Sequence, residues 1–218
     1  MSRGNTTDVG PSFKNAALLV IDVQNGFIDR ELPVAGGAEV VPLINRLMPL
    51  FKVVVASQDW HPADHGSFAS QQEGTQPFQL GMLGGAPQVL WPDHCVQGTP
   101  GAAFHPALHT GYFQAIIRKG MDARVDSYSV FYDNHRHNPS GLTGLLRARG
   151  VERIYVCGLA FDYCVLFSAV DALEVTSEVY VIDDACRSVS PISDAEARQT
   201  MALKGIRILS SAEVLGHA

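Results

Sequence analysis

Residues 16–23 read AALLVIDV, an unbroken apolar run closed by an aspartate and a valine. Apolar side chains at both odd and even positions leave no face of a strand for water. Such a strand belongs in a parallel sheet covered on both sides. Five further runs share this character: residues 52–58 (KVVVASQ), 114–118 (QAIIR), 153–158 (RIYVCG), 178–183 (EVYVID) and 206–210 (IRILS). Helical patterns lie between most of them. Residues 38–50 carry Val41, Ile44, Leu47 and Met48 at helical spacing, with Pro42 confined to the first turn. Residues 140–149 close on Gly150, and residues 162–175 follow the fourth run directly. Residues 193–204 open with a capping box, Ser193 to Glu196, and stop at Gly205. Strands alternating with helices predict an α/β fold, a three-layer α/β/α sandwich around a parallel sheet.

One interval breaks the rhythm. Residues 59–110 are rich in Gly, Pro, His and Gln and show no strong periodicity. A long irregular segment within a compact domain is functional or disordered. Both tryptophans and five of the eight histidines fall here, which favours function. Residues 59–110 are therefore read as a long active-site and metal-binding insertion.

The rest of the composition mainly excludes. At 218 residues, 46% hydrophobic and 17% charged, the chain reads as one domain, residues 1–218, able to bury its own core. A net charge of −6 and a pI near 5.7 give no footprint for nucleic acid or an anionic membrane. No stretch approaches the ~20 apolar residues that span a bilayer. Residues 1–15 are polar and read as a loose leader on a cytoplasmic protein. Cys95, Cys157, Cys164 and Cys186 show no CxxC spacing, which argues against a disulfide framework and against a zinc knuckle. The expected partner is a small molecule. Self-association as a homo-oligomer is left open.

In open parallel sheets ligands bind at the carboxyl ends of the strands. Asp22 follows the first strand, Lys119 the third, and Cys164 opens the helix after the fourth. Singly, each has a plain structural reading: a turn cap, a solvated lysine, a core cysteine. Together they supply a nucleophile, a base and a cation, a complete set for acyl transfer. A cysteine near a helix N-terminus and beside a lysine is expected to have a lowered pKa. The Gly158-Leu159-Ala160 turn could leave backbone N–H groups of Ala160 and Cys164 as an oxyanion hole. A second set is Asp59-Trp60-His61 with His94. Asp-x-His places carboxylate and imidazole on one side of an extended segment, and a third ligand makes an open N/O site suited to Zn²⁺, Fe²⁺ or Mn²⁺. The two sets are read as separate. His65 is a further candidate, less well placed, whereas His135 and His137 read as solvated.

These residues also carry a resemblance. Asp22-Val23-Gln24-Asn25-Gly26-Phe27, Asp59-Trp60-His61-Pro62, residues 91–101 (WPDHCVQGTPG), Lys119-Gly120, Asp126-Ser127-Tyr128-Ser129 and residues 158–165 (GLAFDYCV) run in order along nearly the whole chain. The chain is similar in these motifs to the nicotinamidases (pyrazinamidases) of the isochorismatase-like cysteine hydrolase superfamily. The resemblance implies a six-stranded parallel sheet in order 3-2-1-4-5-6. It also implies hydrolysis of nicotinamide to nicotinate and ammonia through a cysteine thioester, within NAD salvage, with pyrazinamide as a second substrate. Asp22 would be the general base, Lys119 the charge partner and Cys164 the nucleophile. Asp59, His61 and His94 would hold one divalent transition metal, zinc before iron or manganese, and Phe27, Trp91 and Tyr128 would line the pyridine pocket. It further implies a cis peptide bond before Ala160. Phe161 replaces a threonine common in relatives, which bears on the shape of the pocket mouth. The rival readings are a hydrolase of ureido or carbamoyl amides with the same triad, and a silent binding protein on the same fold. The metal ligands speak against the first and the intact triad against the second.

Overall fold

A computed structural model describes residues 13–216. In chain order the elements are β1 (Ala16–Ile21), α1 (Asn25–Ile28), α2 (Val40–Leu47), β2 (Val53–Asp59), β3 (Leu80–Leu83), β4 (Ala86–Val89) and β5 (Ala115–Lys119). There follow α3 (Leu142–Ala148), β6 (Arg153–Leu159), α4 (Leu166–Ala172), β7 (Glu178–Arg187), α5 (Pro191–Leu203), β8 (Arg207–Leu209) and α6 (Ser211–Gly216). Six strands form one sheet in the order β5-β2-β1-β6-β7-β8, every pair parallel. Counted along the chain without the β3–β4 pair, that order is the expected 3-2-1-4-5-6. Every residue of β1 and β2 is buried, as their continuous apolar runs require, whereas edge strand β5 alternates. From β1 the chain winds outward to β2, and from β6 it winds the other way to β7. Right-handed crossovers in opposite directions put helices on both faces. They also open a crevice between β1 and β6, at the switch point.

Several boundaries differ from the sequence reading, each for a local reason. Pro191 takes the first place of α5, where its missing N–H costs nothing, so Ser190 and not Ser193 is the cap; its Oγ accepts the Ser193 N–H at 3.2 Å. The helix expected from residue 162 begins as a π-helical turn, Phe161–Val165, and becomes α-helical only at Leu166. β7 runs on to Arg187 because an irregularity opposite Val156 to Gly158 resets its register with β6. Gly150 and Gly205 do end their helices, with φ of 63° and 76°. Residues 1–12 of the expected leader lie outside the described residues. Residues 13–15 are not loose, since Phe13 packs edge-on to Phe51 at 4.9 Å and beside Tyr155 at 5.7 Å. Among the described residues no helix is long and apolar enough to cross a membrane.

The interval 59–110 contains structure that its composition hides. β3 and β4 form an antiparallel hairpin closed by Gly84 and Gly85, with φ of 58° and 84°. A Gly-Gly pair between two short runs is the sequence signal for such a turn. The interval is tied down by parallel bridges, His61 to Val96 and Phe68 to Trp91. The first of these carries the His61 N–H to the Cys95 carbonyl and so draws His61 towards His94.

Candidate active site

Asp22, Lys119 and Cys164 meet at the crevice between β1 and β6. Lys119 Nζ lies 2.8 Å from Asp22 Oδ2, 2.5 Å from Asp59 Oδ1 and 3.4 Å from Cys164 Sγ, and it donates to the Ser127 carbonyl at 3.0 Å. All four side chains are buried. Ser57 fixes Asp22, donating its hydroxyl to Oδ1 at 2.6 Å and accepting the Asp22 N–H at 3.1 Å. Asp22 itself has φ of 46°, a left-handed backbone just past the strand end. Gly158 is required where β6 passes β1, because its φ is 116° and a Cβ there would overlap the Ile21 backbone.

The electrostatics correct one expectation. Burial pushes the Cys164 thiol well above its ordinary value, and although Lys119 pulls it down, Asp22 and Asp59 push it further up. On this balance burial and the two carboxylates favour the neutral thiol at rest. A π turn replaces the helix N-terminus invoked from sequence, and two carboxylates face one lysine. Burial also raises the Asp22 carboxyl, partly offset by Lys119, which makes Asp22 a better proton acceptor. Burial alone would lower Lys119, but Asp22 and Asp59 outweigh it and hold the ammonium charged.

Asp59, His61 and His94 also come together. Asp59 Oδ2 lies 3.5 Å from His61 Nε2 and 3.8 Å from His94 Nε2. One ligand atom from each of the three falls within 4.8 Å of the others. Each imidazole is oriented from behind: His61 Nδ1 is 2.8 Å from the Gly120 carbonyl, and His94 Nδ1 is 2.8 Å from the Pro92 carbonyl. A carbonyl can only accept, so each Nδ1 carries a proton and each Nε2 is left facing the shared carboxylate, as the atom that would ligate a metal. Gly120 is needed for this, since a Cβ there would run into the His61 ring. Two imidazole lone pairs and one carboxylate are a donor set that fits a divalent transition metal with open positions. The two sets are not separate, because Asp59 belongs to both. Burial would raise its carboxyl, but Lys119 and His61 outweigh that and hold it well below the usual range.

Between the sets lies a pocket lined by Phe27, Leu32, Asp59, His61, Trp91, His94, Asp126, Tyr128, Ala160, Tyr163, Cys164 and Val189. Phe27, Trp91 and Tyr128 are all in its wall, as are both residues proposed for the oxyanion hole, and the Leu159–Ala160 bond is cis. Leu32, Tyr163 and Val189 were missed, because apolar and aromatic residues in turns carry no periodic signal; Tyr163 stands between Trp91 (4.9 Å) and Tyr128 (5.4 Å). Phe161 does not reach this pocket. It faces α5, where the Arg198 guanidinium lies 4.6 Å over its ring, so the pocket mouth is untouched by the departure. His65 is brought to 4.4 Å from the His61 ring and groups with His61 and Asp126, while His137 stays exposed.

The chain and its fold are also similar to known proteins. The isochorismatase domain profile matches residues 16–213, and the chain belongs to that family. Within the family, several of its relatives are nicotinamidases. The chain is 46% identical to the nicotinamidase of Acinetobacter baylyi, over 92% of this chain and 95% of the other. A nicotinamidase and pyrazinamidase structure from Acinetobacter baumanii superposes with a TM-score of 0.89 at 44% identity, covering 94% of this chain and 99% of that one. The pyrazinamidase of Pyrococcus horikoshii in complex with zinc gives 0.73 at 35%, covering 90% and 99%.

Proposed function

We propose that this chain, acting as one hydrolase domain, deamidates nicotinamide to nicotinate and ammonia through a thioester on Cys164. The reading is carried by one observation: Lys119 Nζ touches Asp22, Asp59 and Cys164 at once, beside an aromatic pocket that Cys164 lines together with the His61 and His94 imidazoles. It agrees with the nicotinamidase relatives and gives the chain a place in NAD salvage.

The aromatic walls sandwich the pyridine ring and direct its carboxamide carbon at Cys164 Sγ. Asp59, His61 and His94 would hold a divalent transition metal, zinc as in the Pyrococcus horikoshii relative, which would supply Lewis acidity towards the substrate ring. Asp22 removes the thiol proton as sulfur attacks, so the neutral resting thiol ionises only when its acceptor carbon is in place. Lys119 keeps its charge throughout and balances the carboxylates. The backbone N–H groups of Ala160 and Cys164 receive the developing oxyanion. Asp22 returns its proton to the departing nitrogen, the C–N bond breaks, and ammonia leaves a nicotinoyl thioester. Water then attacks with Asp22 as base, releasing nicotinate and restoring the thiol. Pyrazinamide fits the same walls. The four cysteines, all free, suit a cytoplasmic enzyme.

The test is direct. Purified protein incubated with nicotinamide releases ammonia and nicotinate in equal amounts. Release of neither, with turnover of a carbamoyl amide instead, would overturn the assignment.

A further inference from the structure

The geometry assigns Gln24 a positioning role: its carboxamide fixes the Asp59 backbone and so holds one carboxylate in register with both Lys119 and the two imidazoles. β1 and β2 are paired only as far as Val20 with Ala56. Beyond that pair the strands part, and the buried side chains of Asp22, Ser57, Asp59 and Lys119 occupy the gap. Gln24 is fully buried there. Its Oε1 accepts the Asp59 N–H at 2.8 Å, and its Nε2 donates to the Asp59 carbonyl at 2.9 Å and to the Ala102 carbonyl at 2.9 Å. One side chain thus makes both hydrogen bonds that a neighbouring strand would have made to Asp59, and ties them to the insertion at Ala102.

Asp59 is where such fixing matters. Its Oδ1 is 2.5 Å from Lys119 Nζ, while its Oδ2 faces His61 and His94 at 3.5 and 3.8 Å. A carboxylate serving two partners on opposite sides tolerates little backbone drift. Gln58 provides a built-in comparison: it donates to the same Ala102 carbonyl at 2.8 Å and is also buried, but makes no side-chain bond to Asp59.

The inference rests in part on the metal reading of Asp59, His61 and His94, and the test separates the two. Gln24→Met keeps length and removes all three hydrogen bonds; Gln58→Met removes the Ala102 bond and the one its Oε1 accepts from Arg118 Nε at 3.2 Å, but no bond to Asp59. Zinc affinity is measured by chelator competition, and the iodoacetamide alkylation rate of Cys164 is measured at one fixed pH. Gln24→Met is expected to lose about 10–100-fold in zinc affinity, as loss of an outer-shell partner does, and to alkylate at a rate several-fold different from wild type, because Asp59 contacts Lys119 and itself faces the thiol. Gln58→Met stays near wild type in both. Wild-type values for folded Gln24→Met, or equal losses in Gln58→Met, overturn the assignment. Should Gln24→Met not fold, Gln24→Glu, which keeps the shape and the acceptor for the Asp59 N–H, takes its place. If neither folds while Gln58→Met does, Gln24 holds the fold and not the site, and the assignment falls. A wild-type protein that takes up no zinc defeats the metal reading, and the alkylation rates alone then decide the role of Gln24.

Discussion

The two ends of the central sheet are built on opposite principles. At the amino end Phe13, Phe51, Tyr155 and Tyr180 pack ring on ring, Tyr155 stacked on Tyr180 at 4.6 Å with an interplanar angle of 11°. At the carboxyl end the same strands deliver Asp22, Asp59, Lys119 and Cys164 into a space equally dry. Aromatic burial stabilises; a buried ion cluster recovers its desolvation only while every partner is present. Substitutions at the amino end should therefore cost stability and spare turnover, and those at the carboxyl end should do the reverse or both.

The largest effect expected is at the carboxyl end. Cys164→Ala should lower nicotinamide turnover at least about 10⁴-fold, with thermal stability and metal content near wild type. His61→Ala comes next: elemental analysis should find its metal lost and kinetics should show a raised KM, since one of two imidazole donors is gone. An intact metal content would remove His61 from the ligand set. Lys119→Met tests the coupling of the two sets, as it strands Asp22 and Asp59 without their cation. Denaturant unfolding should show a loss of about 3–5 kcal/mol. Because Lys119 is the group pulling the thiol down, the alkylation profile of Cys164 should move to higher pH.

The amino end sharpens the contrast. Tyr155→Ala should cost about 3–5 kcal/mol for a buried ring, yet leave kcat of the folded protein unchanged; a matching fall in kcat would blur the division. Tyr155 has a buried hydroxyl without a partner among the described residues. Tyr155→Phe should accordingly be neutral or gain up to about 1 kcal/mol. The smallest effect concerns His65, whose imidazole is pushed down to about 4, chiefly by burial and then by His61. The unfolded chain takes up this proton near 6.5 and the folded chain only near 4. Stability of the metal-free protein is thus undiminished above about pH 6.5 and should fall as the pH drops towards 4. His65→Gln should flatten the melting temperature across that window, and an unchanged slope would contradict it.

What the sequence made legible follows the same division. Strands buried on both faces cannot hide, so β1, β2, β6 and β7 stood out as continuous apolar runs. Polar residues closing such runs marked Asp22 and Lys119, and the motif at 158–165 marked Cys164. Spacing could not show that Asp59 serves both sets, because that depends on β2 and β5 pairing Asp59 with Lys119. Nor could it show that burial and two carboxylates push the Cys164 thiol up, since the count of buried charges around it exists only in three dimensions. Gln24 carries no periodic or charge signal; its role appears only where two strands part.

In the proposed mechanism Cys164 carries the acyl group. Acid-quenching the wild-type enzyme during turnover of nicotinamide, digesting it and weighing the peptides tests this most directly. A nicotinoyl adduct is expected on the peptide holding Cys164 and on none holding Cys95, Cys157 or Cys186. Rapid turnover by Cys164→Ala with no adduct on the wild type would contradict it, and would require water to attack the amide directly.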